Sequence, residues 1–471
     1  MTQTRMERDP LGEMAVPAEA LWGIQTERAR QNFPISNLRP LPAFVDAVIR
    51  IKKAAALTHR ETGRLNAKLA DAIIKAADEV LSGGHREHFV VDPYQAGAGT
   101  SHNMNCNEVL ANRANELLGS GRGEYKPVHP NDHVNMAQST NDVIPTAIRL
   151  GALAQLAALT ESLTRLARAL TAKATAFDDI VKSGRTHLQD ATPVRLGQEF
   201  AAFAHSVERN RERIMRAADD LRDLGIGGTA VGTGLNAEPQ YPGLMVKHLR
   251  AICDFELREG ADRVQLMQSM GDAAAFSGAL RTYAADLGKI ASDLRLLASG
   301  PRTGLAEIVL PAVQPGSSIM PGKVNPSIAE MVNQVCFQVI GNDVTVTAAA
   351  EAGQLELNVM MPVIAHNLLF SMSILTTATR VLAERCVEGI EADAEQCAHW
   401  LERSPALVTA LAPTIGYAEA ANLAKEAVAK NVTVRQIVME KGLLKGKALE
   451  EVLDLRAMTE LGVPGERQRR K

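Results

Sequence analysis

Fifteen consecutive residues, Gly316 to Glu330 (GSSIMPGKVNPSIAE), gather two adjacent serines, a lysine, an asparagine and a closing glutamate. Pro321, Gly322 and Pro326 prevent regular helix or strand through the middle, so Ser317, Ser318, Lys323 and Asn325 sit on a loop. Any four of these residues are ordinary for a surface turn. All of them in this order form a far more specific pattern. Four other segments concentrate short polar groups. In GAGTSHNMNCNEV, Gly97 to Val109, small residues let backbone amides and Thr100 approach a ligand closely, although a Gly-rich turn entering a helix looks the same. In HPNDHVNMAQSTNDVIPTA, His129 to Ala147, the run Ser139, Thr140 and Asn141 precedes a helix. Hydroxyls and amides at a helix N-terminus suit a carboxylate, while N-capping by Ser139 or Thr140 is expected in any case. In SGRTHLQDATPVRLGQEF, Ser183 to Phe200, His187 lies beside Thr186 in a polar loop ahead of an amphipathic helix. A lone histidine is more often structural than catalytic. In GGTAVGTGLNA, Gly227 to Ala237, glycines permit a tight backbone beside Thr233 and Asn236. That run lacks the GK[ST] ending and the βαβ setting of a P-loop, which excludes nucleotide binding there.

Long helices must position these loops. Leu150, Leu153, Leu156, Leu159, Leu163, Leu166 and Leu170 recur at spacings of three and four and draw one apolar stripe. The pattern predicts helices over 201–224, 263–297, 327–350 and 355–387. At ~1.5 Å per residue, a helix of about 35 residues spans roughly 50 Å. One subunit of this size does not easily cover such rods, so an oligomer is the economical expectation. Leu21 to Thr26 and Gln95 to Asn105 are the loop candidates in the first part. Ser404-Pro405 is an N-cap followed by a helix-opening proline, and short helices broken at Pro413, Gly416 and Gly442 follow. The expected division is 1–140, 141–397 and 398–471, consistent with about three domains at ~150 residues each.

The chain has 471 residues, 46% hydrophobic and 22% charged, which fits a soluble globular protein with a large core. Only 4% are aromatic, so Ala, Leu, Val, Ile and Met fill that core, which argues against an all-β sandwich. The net charge of -3, from 51 basic and 54 acidic residues, leaves no electrostatic footprint for nucleic acid. The basic tail Arg467 to Lys471 is expected to be a frayed terminus. Cys106, Cys253, Cys336, Cys386 and Cys397 are scattered, odd in number and without a CxxC pair, as free thiols in a reducing cytosol would be. No Cys/His cluster shows metal-ligand spacing, so no catalytic metal is expected. The N-terminal MTQTRMERDPLGEM lacks the apolar stretch of a signal peptide. No uninterrupted run of about 18 apolar residues suggests a membrane span.

The loop and the four polar segments resemble those of the aspartase/fumarase superfamily. The resemblance implies an all-α fold with three domains and a central bundle of long helices. It also implies a homotetramer in which residues of different subunits share each active site, a cytoplasmic location and no organic cofactor. Members eliminate ammonia, water or a larger amine to release fumarate, a small dicarboxylate. The base, by this resemblance, is Ser317, followed in the same loop by Lys323. Thr186 and His187 would meet the substrate carboxylate and leaving group, with His187 paired to Glu330, whose carboxylate would fix its tautomer. Thr100, Ser139, Thr140, Asn141, Ser318 and Asn325 would donate to carboxylates, together stabilising a dianionic aci-carboxylate. His129, Asn131 and Asp132 match a segment tied to a secondary anion site. A serine is normally too weak a base. Converging backbone amides, allowed by Gly316 and Gly322, and the Lys323 charge would lower its pKa. The loop could also close over substrate and exclude water.

The stretch AAAEAGQLELNVMMP, Ala348 to Pro362, resembles the aspartase branch, which reads EAGQL followed by LNV, whereas fumarases carry Asn-Phe ahead of ELNV. Gln31 to Ile35, Pro311 to Pro315 and Gly341 to Asp343 point the same way more weakly. The implied reaction is therefore reversible anti elimination of ammonia from L-aspartate. Hydration of fumarate, or action on another aspartate derivative, is the first rival. A non-catalytic protein on this scaffold is the second, and intact Ser317, His187, Lys323 and Glu330 weigh against it. Two departures stand out: His102, where the family pattern has a smaller or uncharged residue, and Met361, where aspartases carry Glu.

Overall fold

The computed structural model describes residues 3–465, so the basic tail Arg467 to Lys471 lies outside the described residues. The chain opens with a β-hairpin of β1 (Thr4–Asp9) and β2 (Gly12–Pro17). Helices α1 (Ile24–Asn32), α2 (Pro42–Glu61), α3 (Ala67–Leu81) and α4 (Thr100–Leu117) follow. Two expected loops prove shorter than predicted, because Ile24 to Thr26 begin α1 and Thr100 to Asn105 begin α4. For α1 the reason is a cap from a distant helix. The buried Glu108 carboxylate accepts the Gly23, Gln25 and Thr26 amides at 2.9–3.1 Å, donors that a helix start leaves unpaired. For α4 the polar sequence misleads, since its asparagines clamp neighbouring backbone. Asn105 bonds His88 and Val90, Asn112 bonds Leu21 and Gly123, and Asn115 pairs with both backbone groups of Val128.

The long helices are α5 (Thr140–Ala176), α6 (Leu196–Asp219), α9 (Gly271–Leu297), α10 (Ser327–Glu351) and α11 (Met361–Arg385), with α7 (Tyr241–Cys253) and α8 (Gln265–Gln268) between. All seven leucines of the predicted α5 stripe are buried. The helix predicted over 263–297 is interrupted at Ser269, which is extended and whose hydroxyl accepts the Gly271 amide as α9 restarts. The helix predicted from residue 355 begins at Met361. Leu355 is left-handed (φ 51°), Gln354 pairs with Leu357, and Asn358 Oδ1 accepts the Met360 amide. Short helices α12 (Ala394–Arg403), α13 (Ala412–Ile415), α14 (Tyr417–Lys430), α15 (Val434–Glu440) and α16 (Lys447–Val452) close the chain. Ser404 accepts the Ala406 amide as predicted, but Pro413 opens α13 rather than ending a helix. An apolar cluster from Leu401 to Leu453 makes these short helices self-supporting.

The architecture is mainly α, with four two-stranded sheets among the described residues. By packing, the chain forms two compact units, each drawn from three chain segments: 1–161, 212–284 and 336–376, and 162–211, 285–335 and 377–471. Helices 140–176 and 361–389 are long and apolar enough to cross a membrane. Their apolar windows are 72% and 56% buried inside the fold, as in core helices.

Candidate active site

In the second unit, β3 (Val181–Thr186) and β4 (Gln189–Arg195) form an antiparallel hairpin where sequence predicted a polar loop. His187 and Leu188 make its two-residue turn, with φ of 55° and 58°, the left-handed pair that matches strand twist. Thr186 and His187 are exposed at the tip. The base of the hairpin is anchored by charge. Fully buried Glu307 accepts Arg185 Nη1 at 2.8 Å and lies 3.1 Å from Lys182 Nζ, which also reaches Glu199 at 3.0 Å. The Lys182–Glu307 contact is an ion pair without hydrogen-bond alignment.

In the loop of the same unit, Ser317 Oγ accepts the Met320 amide at 2.8 Å and the Ile319 amide at 3.2 Å. Two dipoles thus point at the oxygen where an alkoxide would develop. The loop folds back on itself. The Gly316 amide donates to Lys323 O (2.8 Å), and Asn325 Nδ2 donates to Gly316 O (2.6 Å). Asn325 therefore has one amide hydrogen committed to the loop. Ser318 and Lys323 are exposed, and Glu330 is half-buried in the first turn of α10. Among the described residues of one chain, His187 and Glu330 form no ion pair with each other, and Lys323 forms none at all.

The first unit joins the other predicted segments. Ser139 caps α5, its Oγ accepting the Asn141 amide (3.2 Å). Buried Asp142 accepts the Ser139 amide on Oδ1 (2.9 Å) and the Gly227 and Thr229 amides on Oδ2 (2.9 and 3.1 Å). Asn141 Nδ2 donates to Ala230 O (2.8 Å), so the glycine loop of 227–237 docks on the start of α5. Asn103 Nδ2 reaches Thr140 Oγ1 (3.2 Å), tying α4, which Thr100 opens, to the same place. The Ala98 amide donates to Val359 O (2.8 Å), and a Cβ on Gly97 would meet Val359 at 3.1 Å. The Ala348–Pro362 stretch is thereby hydrogen-bonded to the turn that carries Thr100. His129, Asn131 and Asp132 form a local cap, with His129 Nδ1 accepting the amides of the other two (3.2 and 3.3 Å).

Burial sets the charges nearby. It raises the Asp142 carboxyl to about 6, against three amide donors and Lys52. It lowers the Lys52 ammonium to about 7 and the His102 imidazole to about 3. His102, singled out as a departure, is fully buried, stacked on Phe44 at 4.5 Å and neutral. Met361 is likewise buried. Sequence reasoning missed Asp142, Lys52 and Glu307. The Ser139/Asp142 spacing of a capping box was the available signal for the first. It also found no metal-ligand cluster, yet the fold brings one ligand atom each from His85, Glu87 and His88 within 4.8 Å of one another.

A family profile described as Lyase matches residues 12–341, and one described as Fumarase C C-terminus matches 407–460. An aspartate ammonia-lyase from a Bacillus species is 47% identical over 98% of this chain and 99% of its own length. A class II fumarate hydratase from Halobacterium salinarum is 50% identical over 98% of each chain. The crystal structure of a fumarate lyase:delta crystallin from Brucella melitensis bound to cobalt superposes with a TM-score of 0.93. It is 50% identical, covering 97% of this chain and all of that one.

Proposed function

Given that the chain belongs to the lyase family of the aspartase/fumarase superfamily, we propose that it reversibly eliminates ammonia from L-aspartate to give fumarate. The observation that carries the elimination is Ser317 Oγ, held by two backbone amides on a loop that also carries a lysine. As an alkoxide it takes the Cβ proton. The C–H electron pair first moves onto the carboxylate beside Cβ, which becomes a dianion. It then returns to form the Cα–Cβ double bond as the Cα–N pair departs with nitrogen as ammonia. Thr100, Ser139, Thr140, Asn141, Thr186, Ser318, Lys323 and Asn325 supply donors to the two carboxylates, and losing one such donor costs ~10²–10³ in rate. His187, oriented by Glu330, positions the amine. The choice of ammonia rests on Ala348–Pro362, whose aspartase-like sequence is bonded to the turn bearing Thr100.

Fumarate hydration is the second reading, favoured by the 50% identity to the Halobacterium enzyme. Incubating the protein separately with L-aspartate and L-malate, and following fumarate by ultraviolet absorbance, separates the two. Fumarate from aspartate alone is expected, whereas fumarate from malate alone replaces ammonia by water as the leaving group. Ser317→Ala should abolish either activity, and a mutant keeping most of it removes Ser317 as base.

The working form we propose is a cytoplasmic homotetramer with sites shared between subunits. Phe337 and Val344 are 67% and 65% exposed on α10, with Gly341 open between them. An apolar face of that kind suits helix–helix contact with another copy. Light scattering that found an active monomer would remove this proposal.

A further inference from the structure

Lys52 is a charged side chain placed where charge is costly. It lies on α2 with 0% relative exposure, and an ammonium in such a place needs partners. Among the described residues it has no carboxylate within ion-pair distance. Its Nζ instead donates to two amide oxygens, Asn135 Oδ1 at 2.8 Å and Gln138 Oε1 at 2.9 Å.

Those partners form the turn that delivers Ser139, Thr140 and Asn141. Asn135 Nδ2 donates to Gln138 O, and Gln138 Nε2 donates to Val134 O and Met136 O. Ala137, between them, is left-handed (φ 55°), a conformation that surrounding contacts must hold in place. Asn135 Oδ1 also accepts Asn103 Nδ2 and Asn107 Nδ2, each at 3.2 Å, and Asn103 Nδ2 reaches Thr140 Oγ1. Lys52 is therefore two side chains from the Thr140 hydroxyl.

The groups facing Lys52 offset its charge only in part, through the Asp142 carboxylate beyond ion-pair distance. From α4 come His102 and Cys106, both fully buried. Burial holds the imidazole neutral and pushes the thiol up to about 12, which keeps it protonated. From α5 comes Asp142, whose oxygens are occupied by the Ser139, Gly227 and Thr229 amides. In such a low-dielectric place, an added anion at Ser139–Asn141 interacts with the ammonium far more strongly than it would in water.

We propose that Lys52 is a positioning residue for the dicarboxylate: its charge orders the Asn135–Gln138 turn and favours an anion at Ser139–Asn141, so that neutral Lys52 leaves the site weak. The proposal rests on the reading that Ser139, Thr140 and Asn141 bind a substrate carboxylate. Burial brings the ammonium down to about 7, so the loss falls in the working pH range.

The test uses succinate, a dicarboxylate with no leaving group, bound to the full-length protein. Its dissociation constant is measured calorimetrically from about pH 6.5 to about pH 9 at fixed ionic strength. For the native protein the constant should rise ~10-fold per pH unit above about 7. Lys52→Arg, charged throughout, should give a nearly flat profile. Lys52→Met should bind ~100-fold more weakly at the acid end, match the native protein near pH 9 and also be flat. Circular dichroism establishes that each variant is folded, and if Lys52→Met is not, Lys52→Arg decides alone. A flat native profile overturns the proposal, as does an alkaline limb that persists in Lys52→Arg. Failure of succinate to bind the native protein at any pH instead overturns the carboxylate reading of Ser139–Asn141.

Discussion

Replacing Glu307 by Gln tests how the hairpin that presents Thr186 and His187 is held. Glu307 is 0% exposed and Lys182 only 1%. The carboxylate touches Arg185 Nη1 at 2.8 Å and Lys182 Nζ at 3.1 Å. Removing one partner of a buried ion pair costs ~3–5 kcal/mol. Two features reduce that figure here. The amide retains an oxygen for Arg185, and Glu199, at 3.0 Å, still accompanies Lys182. A loss of about 2–3 kcal/mol is therefore expected, which is ~30–150-fold in the equilibrium for opening the hairpin. Amide exchange across 181–195 should quicken by that factor, and the denaturation midpoint should fall, measured at fixed protomer concentration. Because Thr186 adjoins Arg185, kcat/KM should fall ~10–100-fold as well. The double variant Lys182→Met, Glu307→Met should lose less than the sum of its single changes, with a coupling of ~1–3 kcal/mol. Exchange in 181–195 that stays at the native rate would refute this account of the hairpin's anchorage.

In Gly316→Ala, the new Cβ would stand 2.6 Å from Asn325 N and Lys323 O, backbone atoms that cannot swing aside. Opening the loop at ~1–3 kcal/mol should lower kcat/KM about 10–100-fold while the global denaturation midpoint barely moves. Lys52 titrates near 7 when folded and near ~10.4 when unfolded, so the unfolded chain binds more protons between those values and stability should rise with pH from ~7 to ~10. Urea midpoints at both ends should show that rise in the native protein and not in Lys52→Met; a fall relative to the variant contradicts it. Burial raises the Cys106, Cys336, Cys386 and Cys397 thiols to about 12 and Cys253 to about 11. A disulfide reagent should therefore reach only half-buried Cys253 in the native protein, and that slowly, and titrate the four buried thiols only after unfolding; rapid native labelling of several would contradict the burial.

By itself the sequence determined the kinds of group available and much of the helical frame. Proline and glycine dictate that Ser317 and Lys323 lie on a loop, because those residues deny the backbone its regular hydrogen bonds. The leucine spacing predicts α5, because a 3.6-residue period gathers Leu156, Leu159, Leu163, Leu166 and Leu170 on one buried face. The polar sequence of α4 and of the strands flanking the His187–Leu188 turn misled local reading for the opposite reason. Asparagine and short polar runs favour loops locally, yet here they hydrogen-bond to the backbone of other segments or pair as strands. Only the tertiary structure decided that Asp142 joins the glycine loop to the start of α5, that Glu307 anchors the hairpin, and that Lys52 and His102 are sealed from water. Each of those depends on partners tens of residues away or more, and the free energy of a charge depends on its surroundings rather than on the residue that carries it.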